Sequence, residues 1–364
     1  MALSVGIVGL PNVGKSTLFN AITNASVDAQ NYPFCTIEPN SGIVPINDPR
    51  IDKLSEISQT QKRIYATIEF TDIAGLVKGA SKGEGLGNKF LTNIRETSSI
   101  AHIVRCFEDD NIIHVEGKVN PIADIEIINL ELILADYDMV EKLVDSQRKR
   151  TKSNQKDEVK KLELLERIKA QLEKEKPIRH LQFTEEESLI LKGIHFLTAK
   201  KVIYVANISE GMIGQPNPLV DIVKNYAAEN GETCLEICAK LESELSQLSS
   251  EEKQAYLQEF ELEHTGLDRL ATACFSLLDL QTYLTTGVKE TRAWTIPLGC
   301  TAPQAAGVIH TDFEKGFIRA NIMSYEQFVS CGGWKNGKDK GLVRQEGKEY
   351  IMQDGDVVEF LFNV

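Results

Sequence analysis

The sequence predicts an α/β protein: a mainly parallel, doubly wound sheet domain with an inserted antiparallel helical coiled coil and a small C-terminal domain. Three observations carry this expectation. Short apolar runs at Leu3–Val8, Ile64–Phe70, Ala101–Phe107, Val202–Ala206 and Cys234–Ile237 are mostly separated by helix-length segments, the alternation that builds a parallel sheet. The first run closes into Gly9-Leu-Pro-Asn-Val-Gly14-Lys15-Ser16, a glycine-rich loop between strand and helix. Between residues 122 and 200 the texture changes to Glu, Lys and Leu at helical spacing.

Taken in order, Ser4-Val-Gly-Ile-Val reads as strand one and Thr17–Thr23 as the start of the helix after the loop. Ile64–Phe70 runs as a strand into Asp72-Ile73-Ala74-Gly75. In the middle segment, Leu130, Ile133, Leu134, Tyr137, Val140 and Val144 recur at helical spacing, as do Val159, Leu162, Leu165, Ile168 and Leu172. Two such amphipathic stretches flanking Arg148-Lys149-Arg150-Thr151-Lys152 predict a helical hairpin inserted between two strands of the sheet. After about Leu280, short runs at Trp294–Pro297, Phe317–Ile322, Tyr350–Met352 and Val357–Phe362 surround one helix, Ala302–His310. The expected division is 1–121 with 201–279 for the sheet domain, 122–200 for the coiled coil and 280–364 for the last domain.

A net charge of −13 repels nucleic acid globally, so any such contact must come from a local basic patch. The seven cysteines are scattered, and Cys234 with Cys238 lacks the second pair or the histidines that a zinc site needs. That usage suits a reducing compartment. No apolar run approaches membrane-spanning length and no leader precedes strand one, so a cytoplasmic protein without a membrane partner is expected.

The Gly-x4-Gly-Lys-Ser pattern names its own chemistry. Its glycines let backbone N–H groups curl around phosphates, Lys15 reaches the β- and γ-phosphates, and the Ser16 hydroxyl ligates Mg²⁺ at a helix N-terminus. Asp72, at a strand end 56 residues beyond Ser16, suits the outer shell of that ion, and the Gly75 N–H can face the γ-phosphate. Thr36, in a loop-like stretch between them, is the candidate switch threonine that gives Mg²⁺ a second hydroxyl. Lys15, Thr36 and Gly75 are therefore the candidate catalytic residues. Leu76 stands where a water-positioning Gln would follow Gly75, and leucine cannot orient water by hydrogen bonding.

The base site departs from the guanine-reading pattern. Asn207-Ile208-Ser209-Glu210 stands where Asn-Lys-x-Asp would be: the ring-packing Lys is gone, and the acid is one methylene longer. Losing hydrogen bonds on which specificity rests relaxes or inverts guanine preference. Cys238-Ala239-Lys240 after a strand resembles, in degenerate form, the Ser-Ala-Lys loop that closes such a pocket, with an ordinary turn as the other reading.

Together these residues resemble the Obg-related translation-factor GTPases, and within them the YchF subfamily, the Obg-like ATPases. The resemblance rests on Gly6–Asn20, Asn31–Pro39, Asp72–Ser81, Gly85–Leu91, Asn207–Glu210 and His310–Ile318, and it covers essentially the whole chain. It implies a P-loop G domain, an inserted coiled coil and a C-terminal β-grasp TGS domain. It implies ATP as the preferred nucleotide, hydrolysed to ADP and phosphate. Nucleotide-binding positions carry over to Asn12, Val13, Gly14, Lys15, Ser16, Thr17 and Ile208, with Asn207 and Glu210 completing the base motif, and Mg²⁺ positions to Ser16 and Thr36. A hydrophobic residue in the Gln place, here Leu76, also matches.

The implied partner is the ribosome (large subunit or 70S) or RNA, with no DNA sequence specificity. Arg148–Lys152 near the hairpin tip, and Lys335, Lys338, Lys340 and Arg344 in the last domain, are basic stretches able to meet phosphates. Two other readings remain open at this stage: a GTPase with a degenerate base motif, and a nucleotide-gated binding adaptor whose hydrolysis is incidental.

Overall fold

The computed structural model describes residues 4–29, 40–73, 86–109, 112, 117–151 and 156–363. Its first half runs β1 (Ser4–Val8), α1 (Lys15–Ala29), β2 (Ser41–Pro45), α2 (Pro49–Ser58), β3 (Lys62–Ile64), β4 (Thr67–Asp72), α3 (Leu86–Glu96) and β5 (Ser99–Arg105). Next come α4 (Pro121–Arg150), α5 (Lys156–Leu172), α6 (Glu185–Lys192), β6 (Val202–Asn207), α7 (Pro218–Glu229), β7 (Thr233–Ile237), α8 (Ala239–Leu245), α9 (Ser250–Glu259) and α10 (Gly266–Leu277). The last stretch holds β8 (Leu280–Thr286), β9 (Glu290–Pro297), α11 (Ala302–Ile309), α12 (Thr311–Lys315), β10 (Phe317–Ser324), α13 (Tyr325–Cys331), α14 (Trp334–Asp339), β11 (Arg344–Glu346) and β12 (Asp356–Phe362).

The first compact unit is built on a sheet of order β2-β4-β1-β5-β6-β7. The β4, β1, β5, β6 and β7 strands are all parallel. Strands β1, β5 and β6 are buried throughout, which is why they read as continuous apolar runs rather than alternating ones. Their order turns around β1 and β5, so their carboxyl ends open onto a crevice of the kind where such folds bind ligands.

The predicted helical insertion is present between β5 and β6. Asn120 caps α4, accepting from the Ala123 N–H at 3.3 Å with Pro121 in the first turn. Helix α5 returns antiparallel, as its cross-pairs show: Gln147 with Glu158, Glu141 with Lys169, Tyr137 with Glu173. Val140, Val144, Leu164, Leu165 and Ile168 form its seam. At the root, Asp136 of α4 is fully buried and accepts from the Leu197 N–H (2.9 Å), the Thr198 N–H (2.7 Å) and the Thr198 hydroxyl (2.7 Å). Burial raises its carboxyl above the usual range, and these bonds oppose the rise. A second buried cluster joins the root to the sheet. In it Arg179 pairs with Glu232, Arg179 also reaches Asn129 (3.4 Å), and His102 of β5 stacks obliquely on Tyr204 of β6 at 5.5 Å.

The second unit has a mixed sheet of order β11-β10-β12-β8-β9-β3. The β8–β9 and β10–β12 pairs are antiparallel, whereas β12–β8 and β3–β9 are parallel. Helix α11 lays Ala302, Ala305 and Ala306 into one core with Tyr283, Ile296 and Ile322, the sheet-around-helix arrangement expected of a β-grasp module.

Three features differ from the sequence reading. The run Ile64–Phe70 is not one strand: β3 and β4 belong to different sheets. Ala66 between them is buried in the second unit's core, and its carbonyl accepts from the Ile46 N–H at 2.7 Å. Apolar alternation continues unbroken through Ile64, Ala66, Ile68 and Phe70, so the pattern cannot register the change of sheet. The compact second unit accordingly includes residues 43–68 and 270–364, whereas the sequence division starts it at 280. Finally, Tyr350–Met352 makes only an isolated bridge, Ile351 to Thr301, and three further helices join α11. One of them, α13, is announced by a capping box, Ser324 with Gln327.

Candidate functional site

The crevice at the carboxyl ends of the parallel strands is assembled from register. Ile7 pairs with Asp72, Val8 with His102, Arg105 with Asn207, and Asn207 with Ile237. The loop after β1 follows tight contacts. An added Cβ on Gly9 would lie 2.9 Å from the Ile103 carbonyl oxygen and 2.9 Å from Val13 Cγ2, so only glycine lets the chain pass there. Asn12 (φ 63°) and Gly14 (φ 94°) both take left-handed backbone. The turn then feeds α1, which starts at Lys15, two residues earlier than expected, and the Leu18 N–H bonds the Gly14 carbonyl at 3.0 Å.

Lys15 is 9 % exposed, and its ammonium donates to Asp72 Oδ1 at 2.6 Å. Ser16 is exposed beside it, whereas Val13 is buried. These are the residues expected to meet phosphate and metal, and the fold brings Lys15 and Asp72 into contact. Thr36, Gly75 and Leu76 lie outside the described residues.

Asn207 is buried, and both ends of its amide are engaged with backbone. Its Nδ2 donates to the Val13 carbonyl at 2.8 Å, and its Oδ1 accepts from the Ala239 N–H at 2.9 Å. One side chain thus ties the phosphate loop to the start of α8. It sits so close to Gly14 that any Cβ there would collide with Nδ2. Ile208 is 4 % exposed, its N–H bonded to the Ile237 carbonyl at 2.9 Å. Glu210 Oε2 lies 3.3 Å from Lys240 Nζ. That bond and its charge are the main causes raising the exposed Lys240 amine above its ordinary pKa.

A cavity of about 610 Å³ spans this crevice. Asn12, Gly14 and Thr17 line it on one side, Ile208, Glu210 and Lys240 on another, and Phe107, Glu108, Asp109 and Ile112 on a third. Sequence reasoning missed the third wall and the residue that shapes it. The Arg105 side chain, 2 % exposed, donates to the carbonyls of Phe107 (3.1 Å), Ile112 (3.0 Å) and Asp109 (3.4 Å), with its guanidinium 4.6 Å from the Phe107 ring centre. A lone Arg at the end of a mostly apolar strand was the available signal, because a buried guanidinium must find several acceptors.

The parallel sheet, the glycine turn opening α1 and the Lys15–Asp72 contact define a P-loop nucleoside-triphosphatase domain of the G-protein type. Comparison with known proteins agrees and narrows it. Residues 4–140 match the family model described as "50S ribosome-binding GTPase", and residues 280–363 match YchF-GTPase_C, described as a protein of unknown function (DUF933). The chain is 55 % identical over 364 residues to the ribosome-binding ATPase YchF of Escherichia coli O157:H7, covering all of both chains. It is 54 % identical over 366 residues to that of Bacillus subtilis strain 168, again covering all of both. A solved structure of the Schizosaccharomyces pombe YchF GTPase superposes with a TM-score of 0.90 at 38 % identity, covering 99 % of this chain and 97 % of that one. The chain belongs to the YchF family.

Proposed function

We propose that this protein is a Mg²⁺-dependent ATPase that hydrolyses ATP to ADP and phosphate and acts as a nucleotide switch on the ribosome, preferring ATP to GTP. The observation that carries the base preference is the Glu210–Lys240 pair at 3.3 Å. Guanine recognition in this fold needs a carboxylate facing the N1–H and N2–H₂ donors. Here the only acid of the motif is turned to a lysine, and the residue before the serine is a buried isoleucine. Adenine presents no donor at N1 or C2, so it loses nothing from this arrangement.

Hydrolysis rests on the phosphate loop. Lys15 and the N–H groups of Asn12–Thr17 stabilise phosphoryl charge, and the Gly75 N–H would face the γ-phosphate. The donor set suits Mg²⁺: an exposed Ser16 hydroxyl and the Asp72 carboxylate, which is bonded to the neighbouring Lys15, are hard oxygen donors. Ser16 and Thr36 would hold the ion, Asp72 its water shell, and the ion would neutralise the β,γ-phosphate charge. The curated relatives named above as ribosome-binding ATPases support the ribosome as partner. The cations Arg148, Lys149 and Arg150 at the end of α4 supply a local route to RNA phosphates in an acidic chain. No described helix is long and apolar enough to cross a membrane, and the cytoplasm is the compartment that a ribosomal partner implies.

The S. pombe relative carries GTPase in its name, so the deciding experiment is a titration of the purified protein with MgATP and MgGTP. ATP is expected to bind at least tenfold tighter. GTP binding tenfold tighter than ATP would overturn the base reading.

A further inference from the structure

The Lys15–Asp72 contact has a cost for nucleotide binding. One ammonium, on a side chain 10 % exposed, is already hydrogen-bonded at 2.6 Å to a carboxylate whose side chain is 24 % exposed. An ATP β,γ-phosphate group brings several more negative charges to the same ammonium. A single Lys cannot neutralise both a carboxylate and a polyphosphate, and low exposure limits what solvent can screen. We propose that Asp72 latches Lys15, so that nucleotide gains Lys15 at full strength only when a divalent cation arrives with it and takes over Asp72. Asp72 is then more than a holder of the ion's water shell. Acting through Lys15, it makes cation and nucleotide bind as a unit and discriminates against the uncomplexed nucleotide, a positioning role built into the loop.

The geometry favours a latch over mere proximity. Asp72 is fixed from both sides of its backbone, its N–H bonded to the Asn40 carbonyl at 2.8 Å and its neighbour Ile73 N–H to the Ile7 carbonyl at 3.3 Å. Lys15 is the first residue of α1. Both partners are therefore held by main chain, and only side-chain freedom remains to be lost when the pair forms. A charge-assisted hydrogen bond between preset groups is among the stronger polar contacts.

The proposal rests on nucleotide binding at this loop, and a double-mutant cycle separates the two. Parent, Asp72→Asn, Lys15→Met and the double variant are titrated with ATP in EDTA and, separately, with MgATP. The expected result is that Asp72→Asn binds Mg-free ATP about tenfold tighter than the parent, the order set by one charge-assisted hydrogen bond, and that this gain vanishes on the Lys15→Met background. Simple repulsion between Asp72 and phosphate would give the same gain on both backgrounds, which would overturn the latch. So would an Asp72→Asn variant that gains nothing in EDTA while remaining folded by circular dichroism. Asp72→Ala serves as the second variant, with the same expected sign. If the parent fails to bind MgATP at all, the functional reading falls instead, whatever the variants do.

Discussion

Replacing Asn207 with Ala removes two side-chain hydrogen bonds at once. The Val13 carbonyl and the Ala239 N–H, bonded to its amide at 2.8 Å and 2.9 Å, are left without partners in a buried place. An orphaned buried backbone group costs about 1–3 kcal/mol. Even the lower figure for both gives roughly 2 kcal/mol, a factor of about 30 in an equilibrium constant. The loss should appear as weakened nucleotide binding, because the groups released are the phosphate loop and the start of α8. Calorimetric titration with MgATP and MgGTP is the assay, with thermal melting to follow the part that appears as instability. Both nucleotides should weaken by a similar factor, since the amide holds backbone and not base. A variant that loses ATP but keeps GTP, or loses neither, would refute the reasoning. Asn207→Asp sharpens the test: it retains an acceptor for the Ala239 N–H but opposes the Val13 carbonyl with a second oxygen, so it should also impair both nucleotides.

Other outcomes follow from the same geometry. Lys240→Ala should release Glu210 and shift the ATP:GTP affinity ratio toward GTP, by no more than about fivefold because the pair is exposed; an unchanged ratio would mean that Glu210 is not restrained by Lys240. His102 is wholly buried, its pKa pushed down to about 3, chiefly by burial and then by Arg179, with Glu232 opposing. Its folded pKa lies below its unfolded value, so the unfolded chain binds the proton first and stability is lost as pH falls below 6.5. At about pH 5 that amounts to roughly 2 kcal/mol, and urea unfolding of His102→Gln should show a shallower loss between pH 7 and 5 than the parent. At the hairpin tip, Arg148 is already paired with Glu166 at 2.8 Å. Replacing Arg148, Lys149 and Arg150 by Ala should flatten the salt dependence of ribosome association, and an unchanged slope would remove the tip from the interface.

Much of this was legible because local rules and global fold agree. The buried strands β1, β5 and β6 had to be mostly apolar, and the phosphate loop needs its glycines wherever it occurs, so both stood out in one dimension. The α4–α5 hairpin was legible from its seam spacing. What stayed hidden was long-range. Nothing about Asn207 in sequence says that its amide bridges residues 13 and 239. Arg105 at a strand end hints that it seeks acceptors, but not that they are the carbonyls of residues 107, 109 and 112 in a cavity wall. Strand β3 was misread because a strand's alternation records which face is buried, not which sheet buries it. The short helices α12–α14 fall below the length at which periodicity can be read.

That misreading bears on how the molecule can be taken apart. Strand β3 covers the outer edge of β9 through pairs Lys62–Glu290, Arg63–Thr291 and Ile64–Arg292, and α2 contributes Ile51 and Leu54 to a core shared with Leu284, Met323, Phe328 and Val357. A recombinant fragment begun at residue 280 would keep every residue of the C-terminal family match yet expose a bare strand edge and an unfilled core. Such a piece invites edge-to-edge association between copies. Its insolubility, or its failure to bind a partner, would report the missing residues 43–68 rather than the intact protein. Any deletion series across this chain needs those residues supplied in trans, or left in place.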